Sequence, residues 1–200
     1  TSALIASKST HVLGVDINQK VVDTVNDGKI HIIEPDLDLI VSKAVNDGFF
    51  KASTTAVAAD VYLIVVPTPF KDNHEPDISF VESATKGILP LLKKGDLYII
   101  ESTSPIGTTE KMQKLIYAFR PELIGEIYIA YCPERVLPGN VMYELVHNDR
   151  VIGGVDEAST QKAISFYRNY VKGILHPTNA RTAEMCKLVE NSSRDVQIAF

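Results

Sequence analysis

The sequence has only two cysteines, Cys132 and Cys186. They form neither a metal-binding spacing nor a disulfide framework, so a reducing, cytoplasmic setting is the expectation. No apolar run approaches the roughly 18 residues that span a membrane. Residues 1–9 lack both the basic stretch and the cleavage pattern of a secretory leader. Net positive charge is also missing. The formal charge is −5, which argues against a nucleic-acid partner because backbone phosphates call for a basic face. A small anionic ligand is still allowed, since it needs only a local cluster of donors. Repeats and low-complexity stretches are absent. What remains is 200 residues with an ordinary apolar share of 45%, enough for one domain, or one domain and part of a second.

Short β-rich runs alternate with helical ones. Strands are expected at residues 12–16 (VLGVD), 61–67 (VYLIVVP), 97–101, 127–132 and 150–153. Helices are expected at 18–27, 35–47, 77–94, 108–119, 157–171 and 178–200, the last with Thr178 or Asn179 as N-cap. The continuous apolar run at 61–67 suits a strand buried on both faces. This alternation points to an α/β fold with a doubly wound, mostly parallel sheet of Rossmann type. The expected division is a nucleotide-binding domain over 1–176 and the start of a helical domain over 177–200.

In a sheet ordered 3-2-1-4-5-6 the central strand carries a GxGxxG turn. No such turn precedes the strand that ends in Asp16. A sheet lacking its middle strand would leave two buried edges without hydrogen bonds. The expectation is therefore that the first strand is absent from this chain and that the sequence is incomplete at its start.

Four polar motifs follow strands. Asp16 ends the first. An acid there can accept hydrogen bonds from an adenosine ribose and would repel the extra phosphate of NADP; a solvated loop acid or a helix cap is the plainer reading. Asn18 and Val21 would then lie near the adenosine. Val66-Pro67-Thr68-Pro69 stiffens the exit of the next strand, where Thr68 could meet a cofactor hydroxyl or simply cap a loop. Glu101 to Thr109 (ESTSPIGTT) leads hydroxyls into a helix start. A ligand role suits Thr103, and capping suits Thr108 or Thr109. In Tyr131 to Gly139 (YCPERVLPG), Glu134 reads as a base or water-orienting group and Arg135 as an anion contact; a surface ion pair is the plainer alternative. Cys132 reads as a core thiol. Lys187, Asn191 and Arg194, spaced i, i+4, i+7, share one helix face, which is either a solvated stripe or one side of a cleft.

The order of these motifs, with NDRVIGG and TAEMCKLVENSSRD, resembles the UDP-glucose/GDP-mannose dehydrogenase family along nearly the whole chain. The ERVLPG form of the glutamate loop looks most like the branch that oxidises UDP-N-acetylmannosamine. Pro138 stands where UDP-glucose enzymes carry a second glutamate, which disfavours UDP-glucose. The resemblance implies a four-electron oxidation of a sugar C6 alcohol to an acid, with two NAD reduced in turn. It implies that Thr103 and Glu134 handle water and protons near C6. It makes Lys187 a proton shuttle or oxyanion stabiliser and has Asn191 position water or substrate. Arg135, Val136 and Arg194 would line the UDP-sugar, with Lys187 and Asn191. Asp16, Val21, Thr68, Thr103 and Thr109 would line NAD. It further implies a homodimer paired through the final helix. The nucleophilic cysteine of the family stands in a glycine-rich loop that this chain lacks, so the 200 residues alone are expected to be inactive. Two other readings stay open: a β-hydroxyacid dehydrogenase making a single hydride transfer, and a non-catalytic NAD-binding domain.

Overall fold

A computed structural model describes residues 1–30, 37–136 and 139–200. The chain forms two compact units. One comprises Thr1–Val57, Arg135–Asn148 and Tyr167–Gly173; the other comprises Ala58–Glu134, Asp149–Phe166 and Ile174–Phe200.

The first unit carries helices α1 (Ser2–Ala6), α2 (Gln19–Asn26), α3 (Leu37–Asn46) and α6 (Val141–His147), with strands β1 (Val12–Val15) and β2 (Phe50–Ser53). β1 and β2 pair in parallel, from Val12↔Phe50 to Val15↔Ser53. Parallel neighbours need a long crossover, and α2 and α3 supply it. Ala3, Ala6, Val41, Ala44 and Phe50 are buried together as the core of this unit. The Asn18 side chain caps α2 by accepting from the Lys20 amide at 3.0 Å. Asn26, at the other end, bonds both the amide and the carbonyl of Ala52 and so ties α2 to β2. The helix expected at 35–47 starts at Leu37 among the described residues; Pro35 and Asp36 lie outside them. β2 was not expected. It is four residues with one buried side chain, too short for a periodic signal, and its pairing with β1 defines it. α6, a seven-residue helix, was likewise missed.

The second unit holds β3 (Val61–Ile64), α4 (Ser79–Ile88), β4 (Leu97–Ile100), α5 (Thr108–Phe119), β5 (Tyr128–Tyr131), β6 (Arg150–Gly154), α7 (Glu157–Tyr167, whose last residue is counted with the first unit), β7 (Leu175–Asn179) and α8 (Ala180–Ala199). The sheet order is β3-β4-β5-β6-β7. β3, β4 and β5 run parallel, β6 is antiparallel to β5, and β7 is parallel to β6. All four residues of β4 have no exposed surface, the mark of a strand covered on both faces. The architecture is thus the expected α/β class with a mostly parallel sheet.

Several ends differ from expectation, β3 stopping at Ile64 among them, and three have a local cause. α4 stops at Ile88 and gives way to a single 3-10 turn, Leu89–Leu91, because Pro90 has no amide to continue the α ladder and its ring would strike the carbonyl four residues back. α7 ends at Tyr167, where the Tyr167 carbonyl accepts from the amides of Tyr170 and Val171. Residues 175–179, with Pro177 and polar neighbours, form β7. A proline is tolerated there because β7 is the last strand of the sheet, with one edge unpaired in its ladder.

Candidate functional site

The parallel strands β3, β4 and β5 deliver the polar loops from their carboxyl ends, where open α/β sheets bind ligands. Ser102, just past β4, holds the first two loops together. Its Oγ accepts from the Val66 amide at 2.8 Å and lies 2.8 Å from the Val66 carbonyl. Most hydroxyls of the ESTSPIGTT loop are spent internally. Ser104 Oγ donates to the Ser102 carbonyl, Thr108 Oγ1 to the Pro105 carbonyl, and Thr109 Oγ1 to Glu184. Thr109, expected beside NAD, has no exposed surface. Thr68 and Thr103 are half-buried, and among the described residues the Thr103 hydroxyl is not committed to such a bond.

Strand register brings Glu134 to Arg150. β5 and β6 pair as Ala130↔Gly154 and Tyr131↔Gly153. Continuing three residues past Tyr131, and three back from Gly153, sets Glu134 opposite Arg150. The Glu134 carboxylate lies 3.5 Å from the Arg150 guanidinium; Arg150 is 3% exposed and the Glu134 side chain 30%. The sequence reading missed Arg150. Its signal was a charged residue opening an otherwise apolar strand in NDRVIGG.

α8 then returns along the sheet. β7 ends at Asn179, beside Gly154, and the Asn179 side chain caps α8 by accepting from Thr182 N at 2.9 Å. Seven residues of helix rise about 10 Å, close to the length of four strand residues, about 13 Å. Lys187 therefore reaches the level of Arg150 and Glu134. Its Nζ donates to the Glu134 main-chain carbonyl at 2.7 Å. One turn further, Asn191 Oδ1 accepts from Arg194 Nη2 at 3.3 Å. Lys187 and Asn191 are half-buried and Arg194 is exposed. An ammonium, a carboxamide and a carboxylate thus come from one helix and one loop of a single unit. Such a set can stabilise a developing oxyanion and orient a proton acceptor. Cys132 is fully buried and Cys186 half-buried. Burial raises the Tyr131 hydroxyl above its usual 10.0, against the lowering effect of the Ser104 amide.

The remaining expected residues belong to the first unit. Asp16 is exposed just past β1, and its Oδ1 accepts from the Asn18 amide at 2.8 Å. The main chain is held by Ser53, whose carbonyl accepts from the Asp16 amide. One carboxylate oxygen so engaged, on an exposed acid, suits ribose hydroxyls. Val21 is half-buried on α2. Arg135 and Val136 are half-buried, and the Arg135 carbonyl accepts from Asn148 Nδ2 at 3.4 Å. Leu137 and Pro138 lie outside the described residues. No helix among the described residues is long and apolar enough to cross a membrane.

Residues 1–171 match the NAD binding domain of the UDP-glucose/GDP-mannose dehydrogenase family. The chain is 57% identical, over 208 aligned residues, to the UDP-N-acetyl-D-mannosamine dehydrogenase of Escherichia coli (strain K12), covering all of this chain and 50% of that enzyme. It is 51% identical to the NDP-N-acetyl-D-galactosaminuronic acid dehydrogenase of Ralstonia nicotianae, covering 100% of this chain and 49% of that one. Among solved structures, the UDP-D-ManNAc dehydrogenase from Pyrococcus horikoshii superposes with a TM-score of 0.93 at 40% identity, covering 99% of this chain and 48% of that chain. The chain spans about half the length of the curated relatives it matches.

Proposed function

The chain belongs to the UDP-glucose/GDP-mannose dehydrogenase family, and on that premise we propose that it is the NAD-binding half of an enzyme oxidising the C6 hydroxyl of a UDP-N-acetylhexosamine to the uronic acid. UDP-N-acetyl-D-mannosamine is the substrate best supported, by the 57% identity to the Escherichia coli enzyme of that name and by Pro138 in place of a second glutamate. The product would feed bacterial surface polysaccharide synthesis. The observation that carries the reading is Lys187 Nζ at 2.7 Å from the Glu134 carbonyl.

NAD, when bound, takes the hydride. The chain's own residues take part in binding, orientation and proton handling. Asp16 holds the adenosine ribose, with Val21 beside it, and selects NAD over NADP by charge. Thr68 and Thr103 take the nicotinamide end, and Thr109 supports that loop from within. Lys187 steadies the oxyanion developing at C6 and shuttles its proton, since an ammonium in a dry cleft is well placed for both. Asn191 positions substrate or water, Glu134 orients water and accepts a proton, and Arg135, Val136 and Arg194 line the sugar nucleotide. The complete protein is a cytoplasmic homodimer joined through α8, whose Met185, Val189 and Val196 leave an apolar stripe about half exposed. Such stripes mark association surfaces. A monomer by light scattering would remove that claim.

NADH release by the complete protein across a panel of UDP-sugars is the test. Two NADH per UDP-N-acetylmannosamine are expected. One NADH per substrate would favour a β-hydroxyacid type of dehydrogenase, and NAD binding with no turnover a non-catalytic domain.

A further inference from the structure

Glu184 sits one turn before Lys187 on α8 and has no exposed surface. A carboxylate removed from water is costly unless donors meet its lone pairs. Three do. Gly107 N donates to Oε2 at 2.6 Å, while Thr109 N and Thr109 Oγ1 donate to Oε1 at 2.8 and 2.7 Å. Gly107 is the residue before α5 and Thr109 its second. The first amides of a helix have no partner inside it, and its dipole favours an anion there. Glu184 therefore caps α5 from another helix. Gly107 has φ of 93°, a conformation that side chains resist, and in it the amide meets the carboxylate. A second tie, Arg181 Nη1 to Glu110 Oε2 at 3.1 Å, lies on the surface and adds little.

The cap couples two parts of the candidate site. It anchors the end of the loop that carries Thr103, and it fixes the height and rotation of α8 three residues before the lysine. We propose that Glu184 is the positioning residue for Lys187, setting where its ammonium stands beside Glu134. The proposal rests on the reading of Lys187 as a catalytic group. Displacing a reacting group by about 1 Å can cost about 10²-fold in rate. Glu184→Gln keeps the length of the side chain and one acceptor, but turns an NH2 group toward one of the amides. α8 must then shift to relieve two opposed donors.

The test is a double-mutant cycle in the complete enzyme, with initial rates of NADH formation on UDP-N-acetylmannosamine. Glu184→Gln should lower kcat about 10- to 100-fold with the KM for NAD within about twofold. In a Lys187→Ala background the same change should cost almost nothing further, because the group it positions is gone. Should Glu184→Gln fail to fold, Thr109→Val removes only one of the three contacts; a kcat loss of about 3- to 10-fold, absent in the Lys187→Ala background, is then expected. A loss that multiplies with Lys187→Ala, or a Glu184→Gln enzyme at full kcat, overturns the proposal. A Lys187→Ala enzyme at wild-type rate overturns the reading of the site itself, and is distinguishable because it needs no Glu184 variant.

Discussion

Lys187 and Glu134 meet through unlike atoms: the ammonium touches the main-chain carbonyl of Glu134 at 2.7 Å, while the carboxylate of that residue faces Arg150 at 3.5 Å. A carbonyl orients an ammonium without cancelling its charge. The carboxylate of Glu134 faces a guanidinium anchored on β6.

Lys187→Ala in the complete enzyme should lower kcat by about 10²- to 10⁴-fold, the range for removing a proton-transfer or oxyanion group. NAD affinity should stay within about twofold. Initial-rate kinetics with a separate NAD titration measure both. Wild-type turnover would take Lys187 out of the mechanism.

Asp16→Ala should weaken NAD binding about tenfold or more, since hydrogen bonds to a charged group contribute about 1.5–3 kcal/mol. The preference for NAD over NADP should narrow as the repelling carboxylate disappears. Calorimetric titration with both nucleotides reports this. Unchanged affinity for each would mean that Asp16 is only a loop acid bonded to Asn18.

Gly153→Ala should destabilise the protein by about 1–3 kcal/mol, the usual cost of forcing atoms into filled space. A Cβ at Gly153 would overlap the Asn179 carbonyl group, where α8 begins. Urea unfolding would reveal the shift in midpoint. An unshifted midpoint would contradict so close an approach.

Lys93→Gln should weaken the fold most near neutral pH, and the deficit should shrink in acid. The hydrogen bond from Lys93 draws Asp60 below its ordinary 3.8. The folded state therefore holds the proton less well than the unfolded state. The stabilisation is present above 3.8 and lost as the pH falls through the folded value. Lys93 itself is raised, first by Asp96 and then by Asp60, so its own contribution fades only in strong base. Paired urea titrations at several pH values between about 3 and 7 test the trend. A deficit that stays constant down the acid limb would break it.

Where a segment carried its own signal, the sequence was legible. Residues 108–119 read as a helix and are one, because the apolar face of α5 repeats at helical spacing and Pro105 and Gly107 stop anything earlier. Asn179 was among the named caps of α8 and accepts from Thr182. Elements without such signals were missed. β2 and β7 are strands only because neighbours pair with them. Glu184 carries no local signal of its role, since an acid on a helix looks like a solvated one until a second helix start is seen against it.

The sequence alone determined the alternation of strands and helices, the loops that leave the strand ends, and the polar residue types those loops carry. All of these depend on neighbours within a few positions along the chain. The tertiary structure alone decided that Arg150 faces Glu134, that Glu184 caps α5, and that Lys187 stands over a carbonyl 53 positions away. Those contacts follow from strand register and helix rise, which are fixed when apolar faces pack together, and no local stretch of residues encodes them.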